Sequence, residues 1–206
     1  MIKSRAAVAF APNEPLQIVE VDVAPPQAGD PMPRWRLWKL RARHVIVAAG
    51  ADPIEYRLRY LKDQRARDVV QAAADTFGWD SYEKQRNRGR GIGYARYKNY
   101  AALTAVIVEV EVSPRNGRIR LLRAVAANDS GHMINPDNIS NQIEGGLIQA
   151  LSWALKEEVK FDDTAVLSRD WASYPIITFS EVPPVEVVLI DRPGERYLGT
   201  GEASQG

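Results

Sequence analysis

The segment that most limits the fold of this chain is AVIVEVEVSPRNGRIRLLRAVAAND, residues 105–129. Val106, Val108, Val110 and Val112 share one parity and Glu109 and Glu111 the other. A repeat of two residues marks a strand, because successive side chains point to opposite faces. Pro114, Asn116 and Gly117 then mark a reversal, since these residue types suit the dihedrals of a tight turn. With the loop at 114–117, Val112 faces Ile119, Val110 faces Leu121 and Glu111 faces Arg120. Apolar side chains meet apolar ones and opposite charges meet, so the register is self-consistent.

The flanking segments add helices. In GADPIEYRLRYLKDQRARDVVQAAADTFGW (50–79), Asp52 can cap, Pro53 suits the first helical position and Glu55 stands at capping-box spacing. Leu58 and Leu61, then Val69, Val70, Ala73 and Phe77, predict two helical pieces with a break near 62–66 and a stop near Gly78. SGHMINPDNISNQIEGGLIQALSWALKEEV (130–159) predicts a loop leading into a helix. Ile143, Leu147, Leu151 and Ala154 share one of its faces; Gln142, Gly146, Gln149 and Trp153 share another. Gly145 and Gly146 inside a helix cost roughly 1 kcal/mol each relative to alanine. Tight helix packing or the close approach of a ligand would account for that cost.

VEVVLI (185–190) reads as a strand, and residues 2–23 read as two more, RAAVAF and LQIVEVDV, joined by APNEP. APPQAGDPMP then breaks the chain, placing a boundary near 24–33, and residues 34–49 show no sustained period. The expectation is an α+β fold, a hairpin appendage followed by a domain of mixed helix and sheet.

Composition narrows the partners. The 27 basic and 26 acidic side chains leave a net charge of +1, which supplies no field to gather nucleic acid or an anionic membrane. Two local basic clusters, Arg34 to Arg43 and Lys84 to Arg90, read as solvated faces or inter-subunit contacts. The absence of cysteine excludes disulfides, thiolate zinc sites, cysteine-bound iron–sulfur clusters and cysteine nucleophiles within this chain. His44 and His132 are the only histidines; His132 has no partner at ligand spacing and reads as a structural or loop residue, and no metal ligand is assigned. AALTAVIV (101–108) is too short to span a bilayer and MIKSRAAVAFAP is a poor signal peptide, so a cytoplasmic soluble protein is expected. Gly89, Gly91 and Gly93 precede the β run as G-x-G-x-G, which lacks the spacing and context of a dinucleotide fingerprint.

The last residues, YLGTGEASQG, surround Glu202 with Gly199, Gly201 and Gly206. Glycine permits close backbone approach and positive φ. A carboxylate on such a loop can be a general base if it reaches a proton, or can be plain solvated surface. The amide of Gln142 can hydrogen-bond a polar cofactor without adding charge.

Four stretches together resemble one family. GHMINPDNISNQIEGGLIQAL resembles the N-P…Q-x-E-G-G segment of molybdenum hydroxylases. These are the molybdopterin-binding subunits of the xanthine dehydrogenase and aldehyde oxidase family, here especially the isoquinoline 1-oxidoreductase-like branch. GADPIEYRLRYL looks like the family's D-P-x-E-x-R-x-x-L helix, GRGIGYA like its G-R-G-x-x motif, and GTGEASQG like the G-x-G-E loop of its catalytic glutamate. The motifs stand in the family's order over about 49–206.

The resemblance implies a mixed sheet with packed helices, as in the second molybdopterin-binding domain of such enzymes, C-terminally truncated. It implies a molybdopterin-type molybdenum cofactor, the cytosine dinucleotide form being one alternative, bound by Gln142, Gly145, Gly146, Gly199 and Gly201. Glu202 would be the base in hydroxylation of an aldehyde or N-heterocycle carbon with a water-derived oxygen. The implied partners are a small-molecule substrate, an iron–sulfur subunit and a polypeptide supplying the other half of the molybdopterin site.

Residues 2–30 instead resemble the opening hairpin of class III zinc-dependent alcohol dehydrogenases. The expected division is therefore 1–30 as that hairpin segment, 31–48 as a junction and 49–206 as the molybdopterin-binding domain. Two further readings follow: a non-catalytic remnant that binds no cofactor, and a zinc-dependent alcohol dehydrogenase as the first 30 residues alone would suggest.

Overall fold

In the computed structural model, which describes residues 2–8, 17–23 and 51–205, both expected N-terminal strands form. β1 (Ile2–Val8) and β2 (Gln17–Val23) pair antiparallel, with Ile2 opposite Val23 and Val8 opposite Gln17. They belong to one compact unit, Met1–Ala49, and Gly50–Gly206 forms a second. The APNEP turn, the break near 24–33, the untyped 34–49 and the first basic cluster lie outside the described residues.

The second unit opens with two helices. α1 (Pro53–Tyr60) starts where Asp52 accepts the Ile54 and Glu55 N–H groups at 2.8 and 3.1 Å, satisfying donors that a helix start leaves unpaired. Glu55 does not reach back to complete a capping box; it turns forward to Arg59 at 2.6 Å. The break falls at 61–63, and α2 (Gln64–Phe77) ends on Gly78 at φ +73°, a left-handed cap that glycine adopts without a Cβ penalty.

β3 (Arg88–Arg96), β4 (Leu103–Val112), β5 (Ile119–Asp129) and β6 (Val185–Leu189) form one mixed sheet in that order. The first three run antiparallel; β6 lies parallel to β5. That parallel step follows a crossover through α3 (Pro136–Leu155), since parallel neighbours cannot be joined by a tight turn. The β4–β5 register is the one the alternation requires: Val112 opposite Ile119, Glu111 opposite Arg120, Val110 opposite Leu121. A shift between Glu109 and Val110 then moves Glu109 opposite Arg123.

The three alternate glycines do not precede a strand; they lie within β3, opposite Val110, Val108 and Val106. Their alternation leaves the other parity to Ile92 and Tyr94, which pack toward the α1–α2 layer. Helices cover both faces of the sheet. On one, Val69, Val70, Ala73 and Phe77 of α2 meet Leu103, Ala105, Ile107, Val125 and Ala127. On the other, Ile143, Leu147 and Leu151 of α3 meet Leu121, Ala124 and Ala126. Ala154, expected on the buried face, is exposed together with the rest of the last turn of α3, 153–155.

The second basic cluster is not simply solvated. The Arg90 guanidinium lies 3.7 Å from the Trp79 ring centroid and 4.4 Å from that of Tyr82, a cation–π arrangement. Arg88 pairs with Glu109 and Glu111 at 3.8 and 3.7 Å. No helix among the described residues is long and apolar enough to cross a membrane.

Candidate functional site

α3 and the terminal glycine loop meet. Asn135 caps α3 by accepting the Asn138 N–H at 3.1 Å, and Pro136 takes the first turn. Two turns on, Gln142 Nε2 donates to the Gly201 carbonyl at 2.9 Å. One turn further, a Cβ on Gly146 would lie 2.5 Å from Ser204 Oγ. Gly146 is thus the close-packing glycine: it admits the short turn Ala203–Gln205 onto the helix. Gly145 meets nothing within 4 Å of a built Cβ and is exposed. The two adjacent glycines therefore answer to different demands.

The loop itself is pinned from several sides. The Leu198 N–H donates to the Ser130 carbonyl at 2.8 Å, and the Ser130 and Thr200 hydroxyls lie 3.1 Å apart. Gly201, at φ +54°, presses its backbone against the Tyr97 ring where a Cβ would collide. Gln205 Nε2 donates to Gln149 Oε1 at 2.6 Å. Ser204 Oγ is buried without a hydrogen-bond partner.

Between helix and loop lies a cleft of about 330 Å³, bordered by His132, Asn138, Gln142, Tyr197, Gly199 and Thr200. Of the expected site residues, Gln142 and Gly199 line it, Gly201 and Gly146 hold its walls together, and Gly145 stays open. Glu202 is exposed; within the glycine loop the cleft lining ends at Thr200. A larger groove of about 920 Å³, at the far end of α3 beside Lys156, Glu181 and Pro183, contains none of the expected site residues. Sequence reasoning missed Asn138, Tyr197 and Thr200. Asn138 was detectable, since it stands one helical turn before Gln142 on the same face.

Next to Ser130, which borders the cleft, Asp129 anchors a charged knot. The Asp129 side chain is fully buried and accepts from both Nε (2.9 Å) and Nη2 of Arg65, from Arg192 Nε (2.9 Å) and from the Gly131 N–H (2.9 Å). Arg192 Nη2 also reaches Asp68. Burial opposes ionisation of Asp129, yet Arg65, the Gly131 N–H and Arg192 together hold its carboxyl below the usual range.

Residues 38–183 match the family of the molybdopterin cofactor-binding domain. The chain belongs to that family. It is 39% identical over 174 residues to a nicotinate dehydrogenase polypeptide of Pseudomonas putida, a match covering 78% of this chain and 15% of that one. It is 31% identical over 145 residues to the beta polypeptide of isoquinoline 1-oxidoreductase from Brevundimonas diminuta, covering 69% and 18%. A shorter match, 50% identical over 52 residues, covers 25% of this chain and 14% of S-(hydroxymethyl)glutathione dehydrogenase of Haemophilus influenzae. Among solved structures, quinoline 2-oxidoreductase from Pseudomonas putida 86 aligns with a TM-score of 0.47 at 29% identity, over 50% of this chain and 14% of that one. The chain thus spans less than a fifth of the length of these first two relatives.

The cleft lining mixes Ile134 and Ile139 with amides, hydroxyls and an imidazole, and no carboxylate borders it; it offers a pterin apolar surface for its ring and donors and acceptors for its edge. Gly199, at φ +72°, meets nothing within 4 Å of a built Cβ, so the loop leaves room there.

Proposed function

We propose that this chain forms one wall of the molybdopterin site of a molybdenum hydroxylase and contributes its base, Glu202. The observation that carries the reading is the hydrogen bond from Gln142 to the Gly201 carbonyl at 2.9 Å. It ties the amide face of α3 to the peptide immediately before Glu202.

In this reading Gln142 and Asn138 offer amide groups to the cofactor across the cleft, and the bare backbone at Gly199 lets it lie close. When bound, the cofactor supplies the redox chemistry that oxidises an aldehyde or N-heterocycle carbon. Glu202 accepts the proton at its carboxylate, which a carboxylate can do only within hydrogen-bond reach of the donor. Tyr97 and Ser204 keep the glycine loop against the fold so that Glu202 is presented from one direction. The enzyme is cytoplasmic, passes its electrons to an iron–sulfur partner and completes the cofactor site with regions corresponding to the remaining length of its relatives, of which this chain matches less than a fifth. The division into 1–30, 31–48 and 49–206 belongs to the same proposal.

Replacing Glu202 with Gln in the assembled enzyme should abolish turnover while molybdenum and pterin contents stay at wild-type values. Retained turnover would remove Glu202 from the role of base.

A further inference from the structure

We propose that Asn128 and Asp129, the buried polar end of β5, and Ser130 just after it form a rack that fixes the 190–201 loop, and that Arg192 is the positioning residue joining the loop to it. The inference rests on the reading of Glu202 as the base, because this loop delivers Glu202.

The three residues are only 1%, 0% and 4% exposed, so they cannot be solvated surface. Each holds the loop at a different point. The Asn128 carbonyl accepts the Ile190 N–H at 2.9 Å, while its side chain is anchored to Thr104 Oγ1 at 2.8 Å. Asp129 accepts from Arg192 Nε at 2.9 Å. Ser130 accepts the Leu198 N–H at 2.8 Å, donates its hydroxyl to Asn128 Oδ1 at 2.6 Å and meets Thr200 Oγ1 at 3.1 Å. Gly131, at φ +78°, lets the backbone at Arg196 come closer than any Cβ would allow.

Two arginines and two aspartates, Arg65, Arg192, Asp68 and Asp129, make up the knot. Burying such a group gives little net stability compared with apolar packing, but it admits few alternative geometries. Arg65 alone can neutralise Asp129 through its fork. Arg192 is therefore the member whose function is positional: it ties the start of the loop to both Asp129 and Asp68.

Amide hydrogen exchange on the full chain tests this. In Arg192→Gln, the amides of Leu198 and Ala203 should exchange roughly tenfold faster or more, while Val106 and Val125 in the core strands keep wild-type rates. Arg192→Lys should give intermediate protection, since an ammonium cannot span both acids as a guanidinium does. Asp129→Asn should act in the same direction as Arg192→Gln. If Asp129→Asn does not fold, Arg192→Gln still decides, because Asp129 keeps Arg65. Unchanged loop exchange, or faster exchange in loop and core strands alike, overturns the proposal. Glu202→Gln in the same assay should leave loop exchange at wild-type rates, so loss of the base reading in turnover assays remains separate from loss of the rack.

Discussion

The two ends of β5 obey opposite rules. At Ile119 and Arg120 the strand belongs to an exposed hairpin, and polar side chains are where water is: Arg120 pairs with Glu111 at 2.8 Å with 68% of its side chain exposed. At Asn128, Asp129 and Ser130 polar side chains are buried, and each has protein partners. The first end depends on its neighbour in sequence. The second depends on Arg65 and Arg192, 64 and 63 residues away. Polarity reports exposure only where the chain has no distant partner to offer.

The sharpest way to break this contrast is Asp129→Ala. It removes the acceptor of two arginines from a dry site and should cost about 3–5 kcal/mol, read from chemical denaturation. A loss below about 1 kcal/mol would place Asp129 among ordinary surface pairs. The paired glycines of α3 sharpen it next. Gly146→Ala drives a methyl toward Ser204 Oγ at 2.5 Å and should destabilise by about 1–3 kcal/mol. Gly145→Ala meets open space and should instead raise the melting temperature, gaining up to roughly 1 kcal/mol of helix propensity. Equal shifts in the same direction would undo the assignment of separate tasks to the two glycines.

A pH series with and without Lys156→Met separates the segment after α3 from the knot. Lys156 and then Thr178 hold Glu181 down at about 2 from its ordinary 4.5. Because the folded value lies below the unfolded one, the stabilisation is complete above about 4.5 and fades as pH falls toward 2. Lys156→Met should flatten that part of the thermal-melt profile. Asp129, also depressed, loses its contribution in the same direction on acidification. The smallest effect belongs to the hairpin: Arg120→Ala should change stability by less than about 1 kcal/mol, since exposed pairs are screened.

Much of the frame was legible in the sequence because its causes are local. The valine alternation set the β4–β5 register, Asp52 and Gly78 set helix ends, and Ile143, Leu147 and Leu151 set the buried face of α3. The site was legible by residue type but not by partner. Gln142 could be picked out as an amide on a helix face, yet its bond to the Gly201 carbonyl joins residues 59 apart. Nothing in NDSG marks three buried side chains, because the arginines that neutralise Asp129 lie on α2 and on the loop after β6. Gly89, Gly91 and Gly93 looked like a lead-in because isolated glycines disfavour strands; pairing with Val110, Val108 and Val106 overrides that preference.

Everything functional turns on whether the hollow beside Gln142 and Gly199 holds a metal-bearing pterin. The deciding measurement is molybdenum and oxidised-pterin fluorescence in the assembled enzyme purified from molybdenum-replete cells. Stoichiometric molybdenum and pterin, both diminished by Gln142→Ala, is the expected result. A well-folded complex holding neither, or holding zinc in their place, would contradict it.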